Sequence, residues 1–210
     1  MNIKKTVKKI LAKKIAKPVI DYKYDIPKLP PDLAKATSKR DGDYLKYINK
    51  LFDTLKLDPM TGLYNKQHFE QIKKDPGVYL YIDGDGIKQI NSEYGHEAGH
   101  AAILALAAGI KSVLRKNEEA TPSRVGGDEF SIHLEGVSIA TGVLIGKRII
   151  ESINKQDIGT HYKGSDKVKK ELSEVKLGAS IGVGYSKEEA DDALYKAKAK
   201  GRNRVEYFTK

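Results

Sequence analysis

Apolar positions along the chain change their period several times, and each change marks an element. Val78-Tyr79-Leu80-Tyr81-Ile82 is an unbroken apolar, β-prone run, the pattern of a buried central strand. It delivers Asp83-Gly84-Asp85-Gly86 at its C-terminal end. From Glu97 to Arg115 the period becomes helical, with Ile103, Leu106, Ile110, Val113 and Leu114 as the buried stripe in a background rich in alanine and leucine. Arg124-Val125-Gly126-Gly127-Asp128-Glu129-Phe130 then leads into the alternating run Ser131-Ile132-His133-Leu134. That predicts a β-hairpin whose turn is Gly-Gly, with both carboxylates at the start of the second strand. Glycine at both turn positions permits φ > 0 and leaves room for an approaching ligand. If the strand ending at Asp83 lies beside this hairpin, Asp83 and Asp128 converge as oxygen ligands for Mg²⁺. A solvated hairpin tip is the other reading of the glycine-acid stretch taken alone.

The remaining periods complete the architecture. Asn65 to Lys74 reads as a short helix before Pro76-Gly77, Ile139 to Asn154 as an amphipathic helix, Val175 to Tyr185 as a strand, Lys187 to Lys200 as the last helix, and Val205 to Phe208 as a short strand. The order is β-α-β-β-α-β with additions. It predicts an α+β fold of the split βαβ, ferredoxin-like or palm type, with a central antiparallel sheet flanked by helices. Gly159 to Ser173 is a charged insertion, expected to be a surface excursion.

Three N-terminal features stand apart from this domain. Met1 to Lys17 sets Ile3, Val7, Ile10, Leu11 and Ile15 near one helical face, with lysines around the rest. Such a basic amphipathic segment suits an anionic membrane surface or nucleic acid, and equally a solvated tail. It is too interrupted to span a membrane and lacks the core of a secretory signal. Ile26-Pro-Lys-Leu-Pro-Pro-Asp32 and the polar stretch to Gly42 form a linker, because the prolines forbid a continuous helix. Asp43 to Leu57 resumes helical spacing with Leu45, Ile48, Phe52 and Leu55; it suits packing on its own domain or pairing with a twin. The expected division is therefore 1–42 tail and linker, 43–57 connecting helix, and 58–210 main domain.

Composition narrows the chemistry. The chain of 210 residues carries a formal net charge of +10, which favours polyanions such as nucleotides, nucleic acid or anionic lipid. Residues 1 to 20 hold seven lysines and no acid, so the tail accounts for most of the excess. Cysteine is absent, which excludes disulfides, thiolate metal sites and a cysteine nucleophile and is compatible with a reducing compartment. The expectation is a cytoplasmic protein able to lie peripherally at a membrane surface.

Four motifs in order resemble the GGDEF domains, whose typical activity is diguanylate cyclase. They are Asp58-Pro-Met-Thr-Gly-Leu-Tyr-Asn65, Asp83-Gly-Asp-Gly-Ile-Lys-Gln-Ile-Asn91 running on to Gly95-His96, Gly126-Gly127-Asp128-Glu129-Phe130, and Asp192-Ala-Leu-Tyr-Lys-Ala-Lys-Ala-Lys-Gly-Arg-Asn203. The resemblance covers about residues 58 to 208. It implies condensation of two GTP molecules, each held by one domain, into a cyclic dinucleotide with loss of pyrophosphate, and hence a homodimer during catalysis. It implies Mg²⁺ (or Mn²⁺) held by Asp83, Asp128 and the carbonyl of Gly84, with Glu129 beside them for a second metal or the hydroxyl proton; Asp83, Asp128 and Glu129 become the catalytic set. It implies Lys88, on the turn after the first acids, and Lys198 and Arg202, four apart at the end of the last helix, as phosphate clamps. Open backbone N–H groups around Gly84 to Ile87 would add to them.

The chain departs from the family pattern in informative ways. The base is read in the family by an asparagine, here Asn91, and by an aspartate, where this chain has His100. A carboxylate accepts from guanine N1–H and the 2-amino group together, whereas neutral imidazole offers one acceptor. A relaxed, mixed or adenine-containing base preference therefore becomes credible, so the substrate is GTP or another nucleoside triphosphate. Lys66 replaces the usual arginine and Ile87 the usual phenylalanine. Asn117 and Ala120 stand where an Arg-x-x-Asp product site is common, so feedback by that route is expected to be absent. Arg124 is expected to pair with a nearby acid. Two further classes compete: a catalytically silent nucleotide-binding or interaction module, and a nucleic-acid-associated protein working through its lysine tail.

Overall fold

The computed structural model describes residues 55–71, 76–114 and 120–209. The tail and linker, the connecting segment before residue 55 and Asn117 lie outside the described residues. Chain order is β1 (Tyr64–Asn65), α1 (Lys66–Gln71), β2 (Gly77–Asp85), α2 (Ile87–Tyr94), α3 (His96–Val113), β3 (Ala120–Arg124), β4 (Glu129–Glu135), α4 (Ile139–Ile153), a 3₁₀ turn (Ile158–His161), α5 (Asp166–Glu174), β5 (Gly178–Gly184), α6 (Lys187–Ala199) and β6 (Val205–Tyr207). Ser138, Ser165 and Ser186 start α4, α5 and α6, each accepting a hydrogen bond from a first-turn backbone N–H, as small hydroxyl residues do at helix starts.

The strands form one sheet in the order β1-β3-β4-β2-β5-β6. Its inner four, β3-β4-β2-β5, are antiparallel throughout, the split βαβ core expected from the sequence. The short outer strands β1 and β6 pair in parallel, so the complete sheet is mixed.

Side-chain period fixes what each face does. Val78, Leu80 and Ile82 of β2 align with Leu134, Ile132 and Phe130 of β4, and all are buried with α3 and α4 in the main core. The alternate positions Tyr79, Tyr81 and Asp83 fall opposite His133, Ser131 and Glu129 on the other face. There α6 crosses β5 so closely that a Cβ at Gly182 would strike the backbone of Ala190 and Leu194. One face is thus apolar and thick, and the other carries aromatic residues grading into acids at one end.

Three local expectations change. The hairpin turn spans Val125 to Asp128 and closes through Val125 N–H donating to the Glu129 carbonyl at 2.9 Å, so Gly126 and Gly127 are not a two-residue turn. Neither takes a left-handed φ; Gly126 is small because a Cβ there would meet the Glu129 carboxylate, and Gly127 faces open space. The insertion at 159–173 is more than a surface excursion: Leu172 is fully buried in the main core, as is Ile158 just before it, and Val168 packs against them. Lys88 stands in the first turn of α2, since Gly86 at φ 81° turns the chain directly from strand into helix.

Candidate active site

The acids meet at one end of the sheet because register brings them there. Asp83 is the direct partner of Glu129 across β2 and β4, and of Ser180 across β2 and β5. Gly84 N–H donates to the Asp128 carbonyl at 3.1 Å, which fixes the hairpin tip beside the strand end. Asp83, Gly84, Asp128 and Glu129 are therefore adjacent, as the sequence suggested. That same bond means the Gly84 N–H is engaged and is not an open anion contact. Gly84 also touches the core below, since a Cβ there would meet Leu106 and Ile87.

Two of the three expected cations, Lys198 and Arg202, reach this edge and pair with its acids. Lys198 Nζ lies 2.6 Å from Asp83 Oδ2. Arg202 Nε lies 4.0 Å from Asp85 Oδ1; it sits beyond α6 at φ 62°, so it does not share a helix face with Lys198. Burial pushes the Asp83 carboxyl above the usual range; Lys198 opposes that, and the neighbouring Asp128 and Asp85 charges add to it. Asp83 is thus a crowded carboxylate in an electronegative corner.

Asp85 is a site residue the motif reading passed over. It accepts from Ser180 Oγ and from the Asn203 N–H, each at 2.9 Å, tying β2 to β5 and to the segment after α6. Its signal was present in the sequence: two residues after Asp83 on one strand, it must share that face. The expected pairing of Arg124 with a nearby acid is present and extends into a brace under the hairpin. Arg124 donates to the Gly127 carbonyl from Nη2 at 2.8 Å and from Nε at 3.1 Å, and its Nη1 contacts Asp58 at 3.3 Å. Asp58 in turn accepts from the Thr61 N–H and hydroxyl. Burial alone would raise the Asp58 carboxyl; the Thr61 bonds and Arg124 outweigh it and hold it below the usual range.

The residues expected to read the base lie one helix further out. Asn91 of α2 rests on Gly99 of α3, where a Cβ would collide with its amide. His100 follows Gly99 and is half exposed, with Nδ1 3.9 Å from Glu97 Oε1. Lys88, on α2 between the acids and Asn91, is exposed. A cleft of about 230 Å³ beside the acid edge is lined by Lys66, Phe69, Glu70, Tyr81, Val125, Glu129 and Lys187. A larger groove of about 510 Å³ lies at the opposite end of the sheet, around Gly77, Gly136, Ser138 and Ser186, and contains none of these acids.

The donor set fits a hard divalent cation. Among the described residues no group of three or more His, Cys, Asp or Glu could hold a metal ion, but Mg²⁺ is commonly held by one or two carboxylates together with substrate phosphates. Two aspartates and an adjacent glutamate at one strand end, with Asp83 raised chiefly by burial and further by Asp128 and Asp85, are such an incomplete oxygen set. Among the described residues no helix is long and apolar enough to cross a membrane.

Residues 55–204 match the family model described as diguanylate cyclase, GGDEF domain. The chain is 31% identical over 169 residues to the probable diguanylate cyclase DgcC of Escherichia coli K12, covering 71% of this chain and 42% of that protein. It is 34% identical over 145 residues to diguanylate cyclase A of Treponema denticola, covering 63% of this chain and 35% of that one. The chain spans less than half the length of the curated relatives it matches. Its fold resembles the coiled coil and GGDEF domain of DgcB from Caulobacter crescentus in complex with c-di-GMP, with a TM-score of 0.65 at 20% identity over 84% of this chain and 97% of that one. The GGDEF domain of PA1120 from Pseudomonas aeruginosa gives a TM-score of 0.59 at 26% identity over 73% and 94% of the two chains.

Proposed function

The chain belongs to the GGDEF family, and from that membership we propose that it is a nucleotidyltransferase condensing two nucleoside triphosphates, GTP expected, into a cyclic dinucleotide. The single observation that carries the reading is the register of β2 against β4, which sets Asp83 opposite Glu129 with Asp128 bonded to Gly84. Asp83, Asp128, the Gly84 carbonyl and Glu129 would hold Mg²⁺ or Mn²⁺, which when bound supplies positive charge to the phosphate oxygens.

The chain's own residues account for the rest. Each ribose 3′-oxygen attacks the α-phosphorus of the partner nucleotide, the bond to pyrophosphate breaks, and the hydroxyl proton leaves to a base. Glu129, exposed at the start of β4, is the group for that proton. Lys198, Arg202 and Lys88 bind phosphates through charge-assisted hydrogen bonds. Arg124 holds the hairpin carbonyl at Gly127, so it positions Asp128 and touches no substrate. Asn91 and His100 meet the base, and His100 broadens the choice of base beyond guanine.

The test is incubation of the purified chain with Mg²⁺ and GTP, ATP or both, with products identified by mass. A cyclic dinucleotide that is lost, by at least about a hundredfold in rate, in Asp128→Ala is the expected result, since removing one charge-stabilising group commonly costs that much. An adenine-containing product that reverts to cyclic di-GMP in His100→Asp assigns base choice to His100. Nucleotide binding with no product under any of these conditions makes the domain a silent binding module.

A further inference from the structure

The run His96-Glu97-Ala98-Gly99-His100 opens α3, and histidines four apart on a helix lie on one face a single turn apart. Both are exposed, His100 keeping half its side chain in solvent. Glu97 Oε1 stands 3.9 Å from His100 Nδ1. A neutral imidazole offers one ring nitrogen as a metal ligand, and the nearby carboxylate adds negative charge that favours a cation. The Asn91 amide packs on Gly99 in the same turn, so the two histidines stand on the helix that also supports the expected base-reading asparagine. The positive end of the helix dipole works against a cation here, and Glu97 opposes it.

We propose that His96 and His100 form a site for a divalent transition metal of the Zn²⁺, Ni²⁺ or Cu²⁺ class, separate from the Mg²⁺ acids on the sheet. Imidazole nitrogen suits these ions and not Mg²⁺, which keeps to oxygen. The spacing is that of the His-Glu-x-x-His helix of zinc peptidases, but the setting excludes that chemistry. Among the described residues no third His, Cys, Asp or Glu completes a metal-holding group, so the site binds an ion with open positions and does not build a hydrolytic centre. Resting on the reading of Asn91 and His100 as the base edge, an ion here occupies His100 and lowers nucleotide affinity.

Titration of the whole, chelator-stripped chain with Zn²⁺ in a calorimeter, without nucleotide, tests the site. One ion per chain is expected, insensitive to millimolar Mg²⁺, with affinity falling at least about tenfold in His96→Ala and in His100→Ala, since even outer-shell changes at a metal site commonly cost that much. Unchanged binding in the double variant assigns the ion to other donors, such as His68 or His161, and overturns the proposal, as does no binding at about 100 μM free Zn²⁺. A second titration measures nucleotide affinity with and without Zn²⁺. Metal binding that depends on both histidines but leaves nucleotide affinity unchanged upholds the metal site and overturns only its link to the base edge, whatever the outcome of the turnover assay.

Discussion

Asp58 and Asp83 are both aspartates with a cationic partner, yet their surroundings move them in opposite directions. At Asp58 the Thr61 bonds and Arg124 outweigh burial, and the carboxyl falls below its ordinary 3.8. At Asp83 burial and the charges of Asp128 and Asp85 outweigh Lys198, and it rises above 3.8. A raised folded pKa means the folded chain binds more proton than the unfolded one between the two values. The contribution of Asp83 to stability is therefore greatest below 3.8 and is lost as pH rises through its folded pKa. Asp83→Asn, which resembles the protonated acid, is expected to melt on the order of a degree or two higher than the parent at neutral pH, with the gap closing towards pH 4. Thermal melts of the two proteins across that range check it, and a lower melting temperature for the variant at neutral pH contradicts it. The same variant should lose turnover, the usual exchange of stability for function at an active site. Asp83 and Asp128 were legible as acids at a strand end and in a hairpin turn, whereas Asp85, which strand parity puts on the same face as Asp83, was passed over. The sequence could not make legible that Lys198 rests on Asp83, because that contact joins residues far apart in the chain.

Elements explain why some glycines matter and others do not. Gly182 lies under α6, where a Cβ would meet the backbone oxygen of Ala190 and nitrogen of Leu194, and backbone cannot rotate away. Gly182→Ala is expected to cost about 2–3 kcal/mol, or roughly 5–10 °C in melting temperature. Because α6 carries Lys198, lifting it from the sheet should also weaken nucleotide binding. Gly127→Ala makes the useful contrast: with nothing within 4 Å and no left-handed φ, it should stay within about 0.5 kcal/mol of the parent. Denaturant melts of both variants distinguish these cases, and equal costs would mean that α6 does not pack on Gly182 as described. Long periodic elements were legible to within a few residues: α3 and α4 fall where the apolar stripes put them. The eight-residue α2 was not, because its first turn is contained in the acid motif and Gly86 disguises a helix start as a loop. The insertion hid α5 for a related reason, its apolar content being little more than Val168 and Leu172 among charged residues.

At the scale of the whole molecule, the acids form one group at one end of one sheet, with Asp83, Asp85, Asp128 and Glu129 all drawn from the β2 end and the adjoining hairpin. A cyclic dinucleotide needs two phosphodiester bonds made between two nucleotides, each activated at its own α-phosphorus. Among the described residues the sheet carries one such group of acids; on the proposed function the second position would come from another copy, with the two edges facing. The initial rate at saturating nucleotide should then rise with the square of chain concentration while the chains are mostly monomeric, and become linear once they are mostly paired. Concentration sets this crossover, and charge should shift it: the chain carries +10 overall, so like-charge repulsion resists pairing at low ionic strength and screening relieves it. Added salt is therefore expected to move the crossover to lower protein concentration until it weakens nucleotide binding itself. Rates measured over about a hundredfold range of protein at two salt concentrations, with sedimentation to follow pairing, decide the matter. Strict proportionality between rate and protein, in a chain that sediments as a monomer throughout, would mean that both nucleotides are held by one copy, and the face-to-face arrangement would have to be abandoned.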